Sequence, residues 1–397
     1  MTTDGFQGMS IYIFTDISER VGNGHAWRMM RLGDQLRQRG QDVVCTLPDN
    51  AKARDAANFI KQAPGGMGFS YLPIAPDLPA PHNAFTPFAP EFADRLPAGH
   101  NLYILDSYRL SRQHLRALRG SGYKILLLDD YNHRDLRRGD ADAVLNPSVS
   151  GAVLPYDGLR TLSTPDYHLL PPAFFTGQSG DPRSLLLTFG GTDHGQIGLR
   201  LLESMLEREP SLARSDLHFA VTYAPTPENA AASRQRRIER LSTLLGTRFQ
   251  SLTSFDSARL LGKTGMIICS AGQTALEARA AGVSFVSVAV LNESQVLLAK
   301  DMRGGGVSIH DLRGILDSDD EESPGAKAFL EPYAAALTQR LLSHAPVHLP
   351  PQASDGLARV LDEIDTMASG TTAVPVRSRK RKISPRRDAG NIPRHAR

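Results

Sequence analysis

The chain has 397 residues, is 41% apolar and carries a formal net charge of +3; that length suits two domains with sizeable cores. It holds no run of 18 apolar residues, which excludes a membrane-spanning helix. Residues 371–397 contain nine Lys or Arg and one Asp, a net +8 that leaves the body at −5, and a body without basic excess argues against a nucleic-acid-binding core.

The start of the chain shows no basic segment followed by an apolar one, so no secretory leader is expected. After a loose leader at residues 1–8, the apolar run Ile11–Phe14 reads as a strand, with Asp16 and Ser18 behind it. Gly22-Asn23-Gly24-His25-Ala26-Trp27-Arg28 then opens an amphipathic helix that Gly40 stops. Glycine permits positive φ and close backbone approach to a ligand, and the free N–H groups of a helix start favour an anion such as a diphosphate. His25 and Arg28 stand one turn apart and can face one cleft. An unperturbed imidazole titrates near pH ~6.5 and can exchange a proton at neutral pH. A glycine turn with a capping or core histidine is the bland alternative. The spacing is not the dinucleotide fingerprint, since no third glycine follows.

Further apolar runs at Val43–Leu47, Leu102–Leu105, Ile125–Leu128 and Ala143–Leu145 alternate with helix patterns at 26–39, 51–62 and 111–119. Such alternation predicts a parallel sheet with crossover helices. The proline-rich stretch 75–99 reads as a long irregular loop, either functional or an ordered surface excursion. Polar residues close several strands: Asp106-Ser107-Tyr108, Asp129-Asp130-Tyr131 and Asn146. Ligand crevices of open α/β sheets lie outside the carboxyl ends of the strands, so His25, Tyr108, Asp130 and Asn146 are expected to converge. Turn or helix capping is the competing role, and the stronger one for Asp129 and Asn146. Cys45 and Cys269 sit in apolar runs and read as buried reduced thiols, as in a cytoplasmic protein.

Residues 171–183 read as a linker. A second alternating unit follows: strand Ser184–Phe189, the loop Gly190-Gly191-Thr192-Asp193-His194-Gly195, a helix at 197–208, strands Leu217–Thr222, Met266–Cys269 and Phe285–Val290, and helices at 227–244, 255–262, 274–281, 293–302 and 325–342. Ser270-Ala271-Gly272-Gln273-Thr274 opens a helix whose backbone N–H groups and hydroxyls suit a phosphate. Glu277, about one turn in, is a good acceptor for the two hydroxyls of a ribose, or else a solvated helix residue. Asn292 either faces the cleft or caps a helix, with Gln295 completing a capping box. The amphipathic segment 356–368 is a final helix expected to return to the first domain. The expected class is therefore α/β, two doubly wound Rossmann-like domains facing across a cleft. Residues 1–170 are expected to form the first domain, 171–183 the linker, 184–350 the second domain, with a nucleotide-sugar cleft between the two, 351–368 a returning helix and 369–397 a disordered basic tail.

Phe14-x-Asp16-x-Ser18 with Gly22-x-Gly24-His25-x-x-Arg28 resembles the N-terminal motif of the UDP-2,4-diacetamido-2,4,6-trideoxy-β-L-altropyranose hydrolases of pseudaminic acid biosynthesis. Asp106-Ser107-Tyr108 resembles their Asp-His-Tyr element, with Ser107 in place of the histidine. Leu127-Leu128-Asp129-Asp130, Leu145-Asn146, Phe189-Gly190-Gly191-Thr192-Asp193 and Ser270 to Glu277 match further elements in order, and Asn292 stands where that family has Asn-Gln. The resemblance covers roughly residues 10–310 and implies a glycosyltransferase B-type fold with water as acceptor. It implies catalysis by His25, sugar contacts from Gly24, Arg28, Tyr108 and Asn292, and UDP contacts from Gly190, Gly191, Ser270, Gly272 and Glu277, with Glu277 on the ribose. Arg28 is expected to offset the charge of the leaving diphosphate. No cofactor or metal is implied, and the sequence shows no metal-ligand cluster. The expected partner is a UDP-sugar, with no nucleic acid and no integral membrane segment. A glycosyltransferase using the same donor is the first alternative, its acceptor pocket built from 75–99; a non-catalytic nucleotide-sugar-binding scaffold is the second.

Overall fold

The computed structural model describes residues 10–17, 24–49, 73–76, 87–96, 102–151, 153–154, 156–175, 177, 180–190, 196–223, 228–252, 257–313, 324–343 and 345–369. The expected helix at 51–62, much of 75–99, Gly191 with its loop to 195, and the tail from 370 lie outside these residues.

Among the described residues the strands form two wholly parallel sheets. The first contains β1 (Ser10–Thr15), β2 (Asp42–Asp49), β3 (Pro73–Pro76), β4 (Leu102–Asp106), β5 (Lys124–Leu128), β6 (Ala143–Ser150) and β7 (Arg160–Thr164), in the order β3-β2-β1-β4-β5-β6-β7. The second contains β8 (Asp181–Thr188), β9 (His218–Thr222), β10 (Phe249–Leu252), β11 (Thr264–Ser270), β12 (Ser284–Val290) and β13 (Ile309–Asp311), in the order β10-β9-β8-β11-β12-β13. The helices are α1 (Gly24–Gln38), α2 (Arg112–Gly120), α3 (Ile197–Arg208), α4 (Glu228–Leu245), α5 (Ser257–Leu261), α6 (Gln273–Ala280), α7 (Val296–Gly304), α8 (Pro324–Leu342) and α9 (Gly356–Ser369).

The inner strands are buried on both faces, which is why they read as continuous apolar runs. Successive side chains alternate between two cores. Ile11, Ile13 and Ile104 pack with Met29, Leu32 and Leu36 of α1, while Tyr12, Phe14, Tyr103 and Leu105 pack with Phe88, Phe92 and Leu115. In the second domain Leu185 and Leu187 face α3 and α8, and Leu186 faces α6 and α7. Both cysteines are buried free thiols, and burial pushes Cys45 up to about 12.

Four strands were not anticipated: β3, β7, β10 and β13. All four are sheet edges. An edge strand is short and covered on fewer sides, so it carries no sustained apolar run; β13 is Ile-His-Asp and β7 is Arg-Thr-Leu-Ser-Thr. The stretch between the domains is not a plain linker either. It contains a 3-10 turn at Pro172–Phe174, Phe174 is buried in the second core, and β8 already starts at Asp181.

Helix α9 lies on the first domain. Leu357, Val360, Leu361, Ile364 and Met367 recur at helical spacing and join the core that holds Ile11 and Leu126. Arg39 reaches Asp362 at 2.7 Å and Asp365 at 2.9 Å, and Lys124 Nζ donates to the Met367 carbonyl at 2.7 Å. Gly356 begins the helix against the His168 ring, where a β-carbon would clash with the ring. Ile364 is fully buried; Ile364→Ala is expected to cost about 2–5 kcal/mol in chemical denaturation, as for other large-to-small core changes. A loss near zero would place α9 outside the cooperative core.

Candidate active site

Each sheet has one point where the strand order reverses: between β1 and β4 in the first, between β8 and β11 in the second. Neighbouring crossovers leave in opposite directions there, so a crevice opens at the carboxyl ends of the strands. His25 lies beside the first point and Ser270 at the second.

Arg28 organises the first half. Its Nε and Nη2 donate to Asp106 Oδ2 and Oδ1 at 2.7 and 2.6 Å, and its Nη1 and Nη2 donate to Asp130 Oδ1 and Oδ2 at 3.0 and 2.9 Å. One guanidinium thus ties α1 to the ends of β4 and β5 by two bidentate pairs. Arg28, Asp106 and Asp130 are all buried. Burial alone would raise both carboxyls, but Arg28 outweighs it, with His25 adding to the effect, and holds each below the usual carboxylate range. Asp130 also accepts from the Tyr108 hydroxyl and from Ser148 Oγ, each at 2.8 Å. Burial, with Asp130 beside it, pushes the Tyr108 hydroxyl well above its ordinary range, so it remains a donor.

His25 Nδ1 stands 2.6 Å from Asp106 Oδ1. An ionised carboxylate only accepts, so Nδ1 carries the proton. Arg28 Nη2 lies 3.2 Å from the same nitrogen, but two donors do not bond, and the contact only packs the ring. Among the described residues Nε2 has no hydrogen-bond partner and is not sealed from solvent. Tyr108 meets the ring edge-on at 4.5 Å between centroids. The result is an imidazole of fixed tautomer and orientation whose basic nitrogen is available.

The expected convergence of His25, Tyr108 and Asp130 is therefore present. Asn146 sits just behind, its Nδ2 donating to the Asp130 carbonyl at 3.2 Å while its Oδ1 caps the N–H groups of Ser148 and Val149. Asp129 caps Tyr131 and Asn132 and pairs with Arg134. Arg28, expected on the leaving diphosphate, turns four of its five N–H groups to two buried carboxylates. Ser107 is turned away as well, donating to Asp16 Oδ2 at 3.0 Å. Beyond Tyr108, Tyr131 and His133 stack at 4.8 Å, and burial together with Arg134 brings His133 down to about 4.

The second half presents bare backbone. Gly190 has φ +84°, and a β-carbon on it or on Gly272 would stand 3.9 Å from Ser270 Oγ. Gly272 is the N-cap of α6, and no side chain caps the N–H groups of that helix start. A β-carbon on Gly24 would stand 4.0 Å from Gln273 Cβ, so the starts of α1 and α6 meet across the crevice. A helix N-terminus such as that of α6 favours an anion beside it. Glu277 is buried, not solvated, and accepts from Arg31 of α1 at 2.6 Å. Asn292 occupies the N-cap position of the 3-10 turn Glu293–Gln295, but its side chain is exposed and accepts from Ser294 Oγ at 2.6 Å. Gln295 Oε1 takes the Leu291 N–H at 2.8 Å, so no capping box forms. Sequence reading did not single out Ser148 or Arg31, whose partners lie far away in the chain. Among the described residues no group of His, Cys, Asp and Glu is placed to hold a metal ion, and no helix is long and apolar enough to cross a membrane.

No protein-family model and no curated protein matches this chain. Solved structures do. The spinosyn forosaminyltransferase SpnP aligns with a TM-score of 0.54 at 13% identity, over 91% of this chain and 99% of its own. The glycotransferase of kitacinnamycin aligns at 0.52 and 13%, over 91% and 99%. MurG of Acinetobacter baumannii aligns at 0.50 and 15%, over 90% and 99%. Likeness at this identity speaks for architecture: the chain has the two-domain fold of the B-type glycosyltransferases.

Arg28→Met would leave two buried carboxylates without their cation and is expected to cost about 3–5 kcal/mol. The folded-state values of Asp106 and Asp130 lie below the ordinary one, so the stability they contribute is present above about pH 4 and is lost as pH falls through the depressed values. In Arg28→Met that acid limb should move to higher pH. Denaturation curves taken between about pH 3 and pH 7 measure it, and a limb of unchanged position would show that Arg28 does not set the two values.

Proposed function

We propose that the chain hydrolyses a UDP-linked 2,4-diacetamido-2,4,6-trideoxy sugar at C1, releasing UDP and the free sugar. The observation that carries the reading is the fixed His25 tautomer, with Nε2 open at one switch point and the glycine-lined start of α6 facing it from the other. The motif residues behind the sugar assignment, Asp16, His25, Arg28, Asp106, Tyr108, Asp130 and Asn146, are not scattered in space but share one crevice or its immediate support, which favours a common role.

In this mechanism the diphosphate lies at the start of α6, against Gly190, Ser270 and Gly272, and Glu277 takes the ribose hydroxyls. The sugar faces His25, Gly24, Tyr108 and Asn292. Water attacks C1, its proton passes to His25 Nε2, and the C1–O bond to the β-phosphate breaks with its electron pair leaving on UDP. Asp106 compensates the charge that His25 acquires. The start of α6 stabilises the charge gathering on the diphosphate. Arg28 is a positioning residue: it aligns Asp106 and through it the imidazole. Transfer to an acceptor is the second reading, favoured by the glycosyltransferases among the structural neighbours.

The two separate in a donor-only assay. Steady release of UDP with no acceptor supports hydrolysis; release that requires an added acceptor supports transfer. Because one positioned base contributes roughly 10²–10⁴-fold, His25→Ala should lower kcat by about that factor with little change in UDP affinity. Unchanged turnover would remove His25 from the mechanism.

A further inference from the structure

Helix α1 carries a third polar residue on the side that bears His25 and Arg28. Arg31, one further turn along, leaves the first domain and donates Nη1 to Glu277 Oε1 at 2.6 Å. Its guanidinium carbon lies 5.4 Å from the centre of the Phe174 ring, in the segment that joins the domains. The Glu277 side chain is 5% exposed. Gln273 Nε2 stands 3.5 Å from the same Oε1. Among the described residues Oε2 accepts no hydrogen bond.

A carboxylate so far removed from water is costly unless its lone pairs are satisfied. Here the protein satisfies one oxygen from the opposite domain and leaves the other uncommitted. That division points to a ligand with adjacent donors. It also constrains the carboxyl plane: with Oε1 fixed by Arg31, Oε2 has one orientation, and it lies on the helix whose start faces the start of α1.

We infer that Arg31 is a positioning residue for nucleotide selection, holding Glu277 so that Oε2 receives the ribose hydroxyls. This rests on the proposed ribose role of Glu277. Its consequence is that the ribose subsite is completed by the first domain. The helix that carries the catalytic histidine also orients the group that recognises the nucleotide, so a ribonucleotide is selected only when the two domains are docked.

Calorimetry with UDP and with 2′-deoxy-UDP tests it on the intact chain. Wild type should prefer UDP by about 10- to 100-fold, the worth of a hydrogen bond to a charged acceptor. Arg31→Ala should bring the ratio close to one, and Arg31→Lys should restore part of it. Should Arg31→Ala fail to fold, Arg31→Gln, which keeps a neutral donor, is read in the same way. Loss of both affinities by one common factor, or no change in either, would make Arg31 merely structural and overturn the assignment, while a ratio that collapses in Glu277→Ala would leave the ribose reading standing. Wild-type protein that binds both nucleotides equally, or neither, would overturn the ribose reading and the role of Arg31 together.

Discussion

The arrangement depends on one arginine held between two aspartates. Arg28, Asp106 and Asp130 come from a helix and two strand ends, and all three are buried. Each carboxylate alone in that environment would be strongly disfavoured, and the guanidinium alone equally so. Together they satisfy one another with four charge-assisted hydrogen bonds. The cost of separating them fixes where α1 lies over the sheet. His25, three residues before Arg28, then has one carboxylate to meet, and its ring orientation follows from the same ion pair. Structural and chemical roles thus fall on the same atoms: the interaction that seats the helix also chooses the imidazole tautomer.

A similar economy joins the domains. The crevice has a reactive side chain on one wall and bare backbone on the other. Glycine at 190, 24 and 272 keeps side chains out of the space where the two helix starts meet. Oriented N–H groups at a helix start supply positive potential without a positive side chain, and Arg28 is turned onto internal carboxylates. Tyr108 closes the network beside His25. Its hydroxyl is committed to Asp130, so it offers the crevice its ring and not its acidity.

The fold was legible in the sequence wherever burial was two-sided. Strands such as Ile11–Phe14 and Leu102–Leu105 show themselves as unbroken apolar runs because helices cover both faces. The four edge strands were not legible, because pairing on one side leaves the composition free; Pro73–Pro76 even reads as loop. Within the site, what is local in sequence could be read: the His25 and Arg28 spacing, the polar strand ends and the glycine loops. What is distant could not. Arg28 meets partners 78 and 102 residues away, and Arg31 meets one 246 residues away. From sequence alone Arg28 looked like a group for the leaving diphosphate, since an arginine one turn after a glycine loop usually faces outward; only the depth of Asp106 and Asp130 turns it inward. Asn292 was open to two readings, cleft residue or cap; it holds the N-cap position, but its side chain takes the Ser294 hydroxyl and Gln295 takes the Leu291 N–H.

Asp106, aligned by Arg28, holds His25 with its proton on Nδ1 and leaves Nε2 as the acceptor. Nitrogen-15 NMR of imidazole-labelled protein reads this directly. For the neutral His25 ring a pyrrole-type Nδ1 and a pyridine-type Nε2 are expected, with the preference lost in Asp106→Ala. A His25 ring protonated on Nε2, or one that averages freely between tautomers in the wild-type protein, would contradict it.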